Sequence, residues 1–98
     1  MTEVIKLSVP IKAHDQELTE LTLRRPAIHE VKAIKSLPYH FGGTGEVVPD
    51  TDIAVRYVAV CAGIPPSSVE QIDLFDLNTI IWKVVSFFIS PASETSKT

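Results

Sequence analysis

Cysteine is nearly absent: Cys61 is the single one among 98 residues. One thiol cannot close an internal disulfide, so the fold does not rely on an oxidising compartment. Long apolar runs are also missing. The most apolar stretch, Leu74 to about Ile89, contains Asp76, Asn78 and Lys83 and falls short of the ~20 apolar residues a bilayer requires. A membrane-spanning role is therefore set aside. Positive charge is in deficit, with nine basic against twelve acidic residues and a net charge of −3. That sign disfavours a phosphate backbone as a bulk partner. Histidine is sparse and scattered: His14, His29 and His40 show no metal-ligand spacing with each other or with Cys61, and no nucleophile–base pair is spelled out. Cys61 reads as a small core residue. The N-terminus meets Glu3 and Lys6 at once, without the basic, apolar and small-residue regions of a signal peptide. No internal repeat is present. No catalytic residue, metal ligand or cofactor-binding residue is expected.

What the chain does contain is 45% apolar residues, enough for one modest core. A domain this small hides only about 60–65% of its unfolded surface, so its stability is marginal or helped by partners. Ile5, Leu7 and Val9 alternate with Lys6 and Ser8, the period of a half-buried strand. Pro10 suits that strand's end or an edge. A polar turn over Lys12 to Glu17, tied by Asp15, leads to a second strand from about Glu17 to Leu23. In it Leu21 and Leu23 face the side of Ile5, Leu7 and Val9, with Leu18 on the other. The two strands form an antiparallel hairpin, which must lay its apolar face on helices to be stable.

At Pro26 the period changes. Ile28, Val31, Ile34 and Leu37 recur at three-residue steps, a helical stripe that Pro26 opens at the first helical position and Pro38 closes. No side-chain cap precedes Pro26, and Lys32 and Lys35 suit the negative end of the helix dipole. Residues Tyr39 to Val48 hold three of the four glycines and read as a linker, with Tyr39 and Phe41 tucked under the domain. Its Gly-Gly-x-Gly lacks the preceding strand and following Lys-Ser/Thr of a phosphate loop. Asp50 and Asp52 suit the start of the next helix, whose stripe is Ile53, Tyr57, Val60, Cys61 and Ile64, ended by Gly63. A short helical turn follows from Pro65, with Val69 and Ile72 inward.

Asp73 caps the last helix. Leu74, Leu77, Ile81, Val84 and Phe88 make one apolar stripe, and Phe75, Trp82, Val85 and Ile89 make a second. Asp73 and Asp76 read as a cap and a solvated first-turn residue rather than a catalytic pair. A helix apolar over most of its circumference is buried, and one small core does not cover both sides. A partner or self-association is expected there. Arg24 and Arg25, with Lys32 and Lys35, are read as salt-bridging to Glu20, Glu30 or an acidic partner, rather than as a nucleic-acid patch. The expected architecture is α+β: an N-terminal antiparallel β-hairpin packed on a bundle of three to four helices, one domain over residues 1–89 with a disordered tail over 90–98.

Two segments carry a resemblance. Glu20-Leu21-Thr22-Leu23-Arg24-Arg25-Pro26 resembles the hallmark of the small tail-assembly chaperones of tailed bacteriophages, the E-type tail protein family. Ala62-Gly63-Ile64-Pro65-Pro66, followed by Ser67 to Asp76, is similar to that family's Gly-hydrophobic-Pro segment and its acidic-leucine step into the last helix. The likeness spans roughly residues 3–89, with a longer glycine-containing middle than the family pattern suggests. It implies a non-enzymatic factor in the bacterial host cytoplasm that binds the tape-measure protein and keeps it soluble while tail-tube protein assembles around it. It also implies a frameshift-extended form sharing this N-terminal part, and the chain's own surplus apolar surface adds a possible homo-oligomer. Neither nucleic acid nor membrane is expected as a partner. Partner-binding residues, chosen from the pattern rather than from the family, are Phe75, Trp82, Val85, Ile89, Arg24 and Arg25. The rival readings are a structural tail subunit retained in the particle and a small nucleic-acid-binding regulator.

Overall fold

The computed structural model describes residues 2–90. It is an α+β fold in which a long N-terminal hairpin lies on helices, as expected. Strand β1 (Thr2–Ala13) and strand β2 (Gln16–Arg24) pair antiparallel. Between them His14 and Asp15 both take positive φ, 54° and 61°. A two-residue turn of that hand matches the strand twist, so the hairpin is longer and its turn tighter than the polar run suggests.

The pairing is interrupted. Lys6 stands opposite Glu20 and Ile11 opposite Leu18, so Leu7, Ser8, Val9 and Pro10 face Thr19 alone. Pro10, which has no amide hydrogen, sits inside this bulge rather than at a strand end. Two expectations change as a result. Val9 is 45% exposed instead of buried, and Ile11 and Ala13 take over as core residues. Leu18, opposite the buried Ile11, shares its face and joins the core; directly opposed residues in a sheet lie on the same side.

Helix α1 (Ile28–Ile34) is shorter than its apolar stripe. Pro26 precedes it, and Ala27 is the N-cap. The Glu30 carboxylate accepts the Ala27 N–H at 2.8 Å, supplying from within the first turn the satisfaction a capping side chain would give. Lys35, in the left-handed region at φ 71°, ends the helix before Pro38 can. Just past this end, the Tyr57 hydroxyl donates to the Ser36 carbonyl at 2.6 Å. Val31 and Ile34 pack on the core, whereas Ile28 and Leu37 are exposed. Buried Pro38 accepts the Asp50 N–H at 2.8 Å through its carbonyl.

The presumed linker is a second hairpin, β3 (Tyr39–Phe41) with β4 (Val47–Pro49). Tyr39 is half-buried, but Phe41 projects outward at the hairpin's end instead of tucking under the domain. Helix α2 (Thr51–Ala62) follows, capped by Asp50, whose carboxylate accepts the Ile53 N–H at 3.4 Å, and closed by Gly63 at φ 69°. It buries Ala54, Tyr57, Val58 and Cys61. The short α3 (Pro66–Val69) turns the chain toward α4 (Leu74–Ile89), which Asp73 caps by accepting the Phe75 N–H at 3.1 Å.

The main core gathers Leu21, Leu23, Tyr57, Val58, Ile80 and Val84 between the first hairpin, α2 and α4. A smaller cluster of Ala54, Ile81 and Val85 lies under Tyr39 and Val47 of the second hairpin. An edge-on aromatic series, Phe41 to Tyr39 to Phe88 to Tyr57, runs from surface to core with centroid separations of 5.9, 6.3 and 5.2 Å. The expected disordered tail lies, beyond Ser90, outside the described residues.

Candidate protein-binding face

Helix α4 decides where apolar surface is left over. Its buried residues, Ile80, Ile81, Val84, Val85 and Phe87, fill the side turned to the hairpins and α2. On the opposite side Phe75, Trp82 and Ile89 are 73%, 46% and 51% exposed. Their seven-residue spacing is nearly two helical turns, so the three line up as a ridge along the helix. Leu74, from the other stripe, is 80% exposed beside Phe75. Val85, grouped with the outer stripe in the sequence, is fully buried against Ala54 and Ile81. It lies three residues after Trp82 and four before Ile89, and it turns under the second hairpin.

Both arginines are engaged within the chain. The Arg24 guanidinium makes a bidentate pair with the Glu30 carboxylate at 2.8 and 2.7 Å. The guanidinium, with the Ala27 N–H second, pulls the Glu30 carboxyl from its ordinary 4.5 down to about 2. Arg25 reaches the other end of α4: it donates to the Phe87 carbonyl and, at 3.1 Å, to the Ser90 carbonyl, while its guanidinium lies 5.7 Å from the centre of the Phe87 ring. A cation here satisfies carbonyls that the helix leaves without partners. Pattern reading identified Glu30 as a partner for the arginines but had no signal for Arg25 as a C-terminal cap.

Asp76 is buried rather than solvated. Its carboxylate accepts the Ser8 N–H at 2.9 Å and the Ser8 hydroxyl at 3.0 Å, pinning the β1 bulge to the first turn of α4. Farther along β1, the Lys12 N–H donates to the Gln71 side-chain carbonyl at 2.8 Å, and the Lys12 carbonyl accepts the Ser68 hydroxyl at 2.7 Å. Glu3 and Lys83 approach to 3.7 Å. These side chains occupy much of β1 on the α3–α4 side.

Other candidate chemistry is accounted for. Cys61 is buried, and desolvation pushes its thiol up to about 11, away from a reactive thiolate. His14 Nε2–H donates to the Gly63 carbonyl at 3.2 Å. In the Gly-rich loop the Thr44 N–H and hydroxyl both donate to the Glu46 carboxylate, the Gly42 N–H to the Glu46 carbonyl and the Gly45 N–H to the Gly42 carbonyl. The Gly42, Thr44 and Gly45 N–H groups, donors a phosphate would need, are thus engaged within the loop itself. Among the described residues no group of three or more His, Cys, Asp or Glu is placed to hold a metal ion, and no helix is long and apolar enough to cross a membrane.

A family model described as phage tail assembly chaperone proteins, E, or 41 or 14, matches residues 4–89. Comparison with curated proteins and with solved structures gave no match.

Proposed function

The chain belongs to the phage tail assembly chaperone family, and from that premise we propose that it is a non-enzymatic factor that binds the tape-measure protein in the host cytoplasm. It keeps that protein soluble while the tail tube is built around it. The observation that carries this reading is the ridge of Phe75, Trp82 and Ile89 on the outer side of α4. Three large apolar side chains at seven-residue intervals match the seam by which one helix packs along another. With Leu74 they leave on the order of 500 Å² of apolar surface, at the upper range for a monomer and below the ~800 Å² per partner of a standard stable interface. One copy therefore holds a helix weakly, and a long helix has room for several copies side by side. Weak individual contacts also suit a factor that must leave.

Arg24 and Arg25 are not assigned to the partner, because Glu30 and the carbonyls at the end of α4 use them. Val85, buried against Ala54 and Ile81, is not assigned to the partner either. The test is co-expression with the tape-measure protein, scoring how much stays soluble and co-elutes with the chaperone. Wild type should yield a soluble complex. Trp82→Ser with Ile89→Ser should lose at least tenfold in co-eluting tape measure while retaining the far-ultraviolet circular dichroism of wild type. Undiminished capture by that folded variant would remove the ridge from the binding face, and an insoluble tape measure beside abundant soluble wild type would refute the proposal.

A further inference from the structure

The outer side of α4 carries more than its three large side chains. Thr79 lies four positions after Phe75 and three before Trp82, and Ser86 lies four after Trp82 and three before Ile89. At about 100° per residue, these steps keep all five within roughly 80° of the helix circumference. Alternating steps of four and three are the period of a seam along which a second helix packs. Along this seam bulky and small residues alternate. Thr79 is exposed and Ser86 half-buried, so each leaves a shallow socket between two projecting neighbours.

Both hydroxyls turn back on their own helix. The Thr79 hydroxyl donates to the Phe75 carbonyl at 3.5 Å, and the Ser86 hydroxyl to the Lys83 carbonyl at 2.6 Å. A hydroxyl whose proton is used in this way can be covered by an apolar group without leaving a buried donor unmatched. The floors of the sockets are therefore ready to accept hydrocarbon. Thr79 and Ser86 stand seven residues apart, about 10.5 Å along the axis, which is also the interval at which one face of a partner helix repeats. Glu70 and Asp73, exposed just before Phe75, put negative charge at the N-terminal end of the row. That charge favours a partner segment with basic residues laid there.

We infer that Thr79 and Ser86 are specificity-determining residues of this face: their sockets receive two large aliphatic side chains, seven residues apart, from one amphipathic helix of the tape-measure protein. Phe75, Trp82 and Ile89 stand between and beside those side chains, knobs interleaved with knobs. The inference rests on the tape-measure reading proposed above and adds a size rule to it. A helix with alanine at the two positions leaves the sockets empty. One whose large residues recur at another interval seats only one of them and meets the ridge with the next.

The test fills the sockets without removing any apolar surface. Thr79→Leu/Ser86→Leu places two better helix formers outside the core, so the far-ultraviolet circular dichroism and thermal midpoint of wild type should be kept. On a featureless apolar patch the added leucines would leave capture unchanged or raise it. With sockets in use, tape measure co-eluting per soluble chaperone after co-expression should fall at least tenfold. Thr79→Ala/Ser86→Ala, which keeps the sockets open, should capture like wild type. Thr79→Leu alone, at the more exposed position, should lose at least threefold and carries the test if Ser86→Leu disturbs the fold. Undiminished capture by the folded leucine variants would overturn the inference while leaving the ridge in place. Loss of capture by the alanine variant would overturn it as well, by giving the hydroxyls a direct contact with the partner. Full capture by Trp82→Ser/Ile89→Ser, or none by wild type, would instead remove the underlying reading, and this inference with it.

Discussion

The two hairpins of this protein are built on opposite terms. The first, β1 with β2, drives Leu21, Leu23, Ile11 and Ala13 into the main core. Side chains from α3 and α4 also hold β1 at Ser8 and Lys12. The second, β3 with β4, has three residues per strand and contributes only half-buried Tyr39 and Val47 to the small cluster on α4. It leaves Phe41 in solvent. A two-stranded hairpin is marginal in water, and its stability is borrowed from what it covers. The first hairpin is thus part of the structure's foundation, and the second is a cover over one side of α4.

The largest effect that distinguishes them is Leu23→Ala. This fully buried side chain is in the main core, so its truncation should cost about 2–5 kcal/mol in chemical denaturation. Val47→Ala in the second hairpin should cost less than half as much. Equal losses would mean that both hairpins belong equally to the cooperative core.

Next comes Asp76→Ala, which removes the buried carboxylate that accepts both Ser8 donors and should cost about 1.5–3 kcal/mol, the range for a hydrogen bond to a charged group. Native-state hydrogen exchange should localise the loss to the bulge and the first turn of α4, while β3 and β4 exchange as before. Faster exchange confined to the second hairpin would place the tie elsewhere.

The smallest effect is expected at the Arg24–Glu30 pair that fastens α1 beside the first hairpin. Glu30 titrates near 2 in the fold against an ordinary 4.5. Its contribution is therefore present above about 4.5 and is lost as pH falls toward 2. The difference in melting temperature between wild type and Glu30→Gln should shrink through that window and shrink with added salt, because the pair is near the surface. A difference unchanged by acid would show that Glu30 acts through packing.

The start of the first hairpin was legible because Ile5, Leu7 and Val9 alternate with polar residues, whereas Pro10 and the polar run after it hid the strand's continuation to Ala13. The bulge was not, because it depends on a carboxylate sixty-eight residues away. Asp76 read as a surface residue of a helix's first turn, and no local pattern says that Ser8 will reach it. The second hairpin did leave a signal: Tyr39-His40-Phe41 and Val47-Val48 flank five residues that include glycines, a spacing that fits a hairpin with a longer loop. Three-residue strands carry too little periodicity to compete with a linker reading. On α4 the apolar residues were plain, but two stripes so close together do not say which is covered. The second hairpin settles that by lying over Ile81 and Val85, leaving Phe75, Trp82 and Ile89 outside.

The bulge also has a mechanical meaning. With Leu7 to Pro10 opposite Thr19 alone, β1 and β2 form two ladders of different register joined by a lump that fits nowhere else along β2. Sliding β1 by a single step would pull Ser8 from Asp76 and push Pro10, which has no hydrogen to donate, into a ladder position. The arrangement works as a key in a keyway: the hairpin can detach from the helices as a whole, but it cannot creep along them.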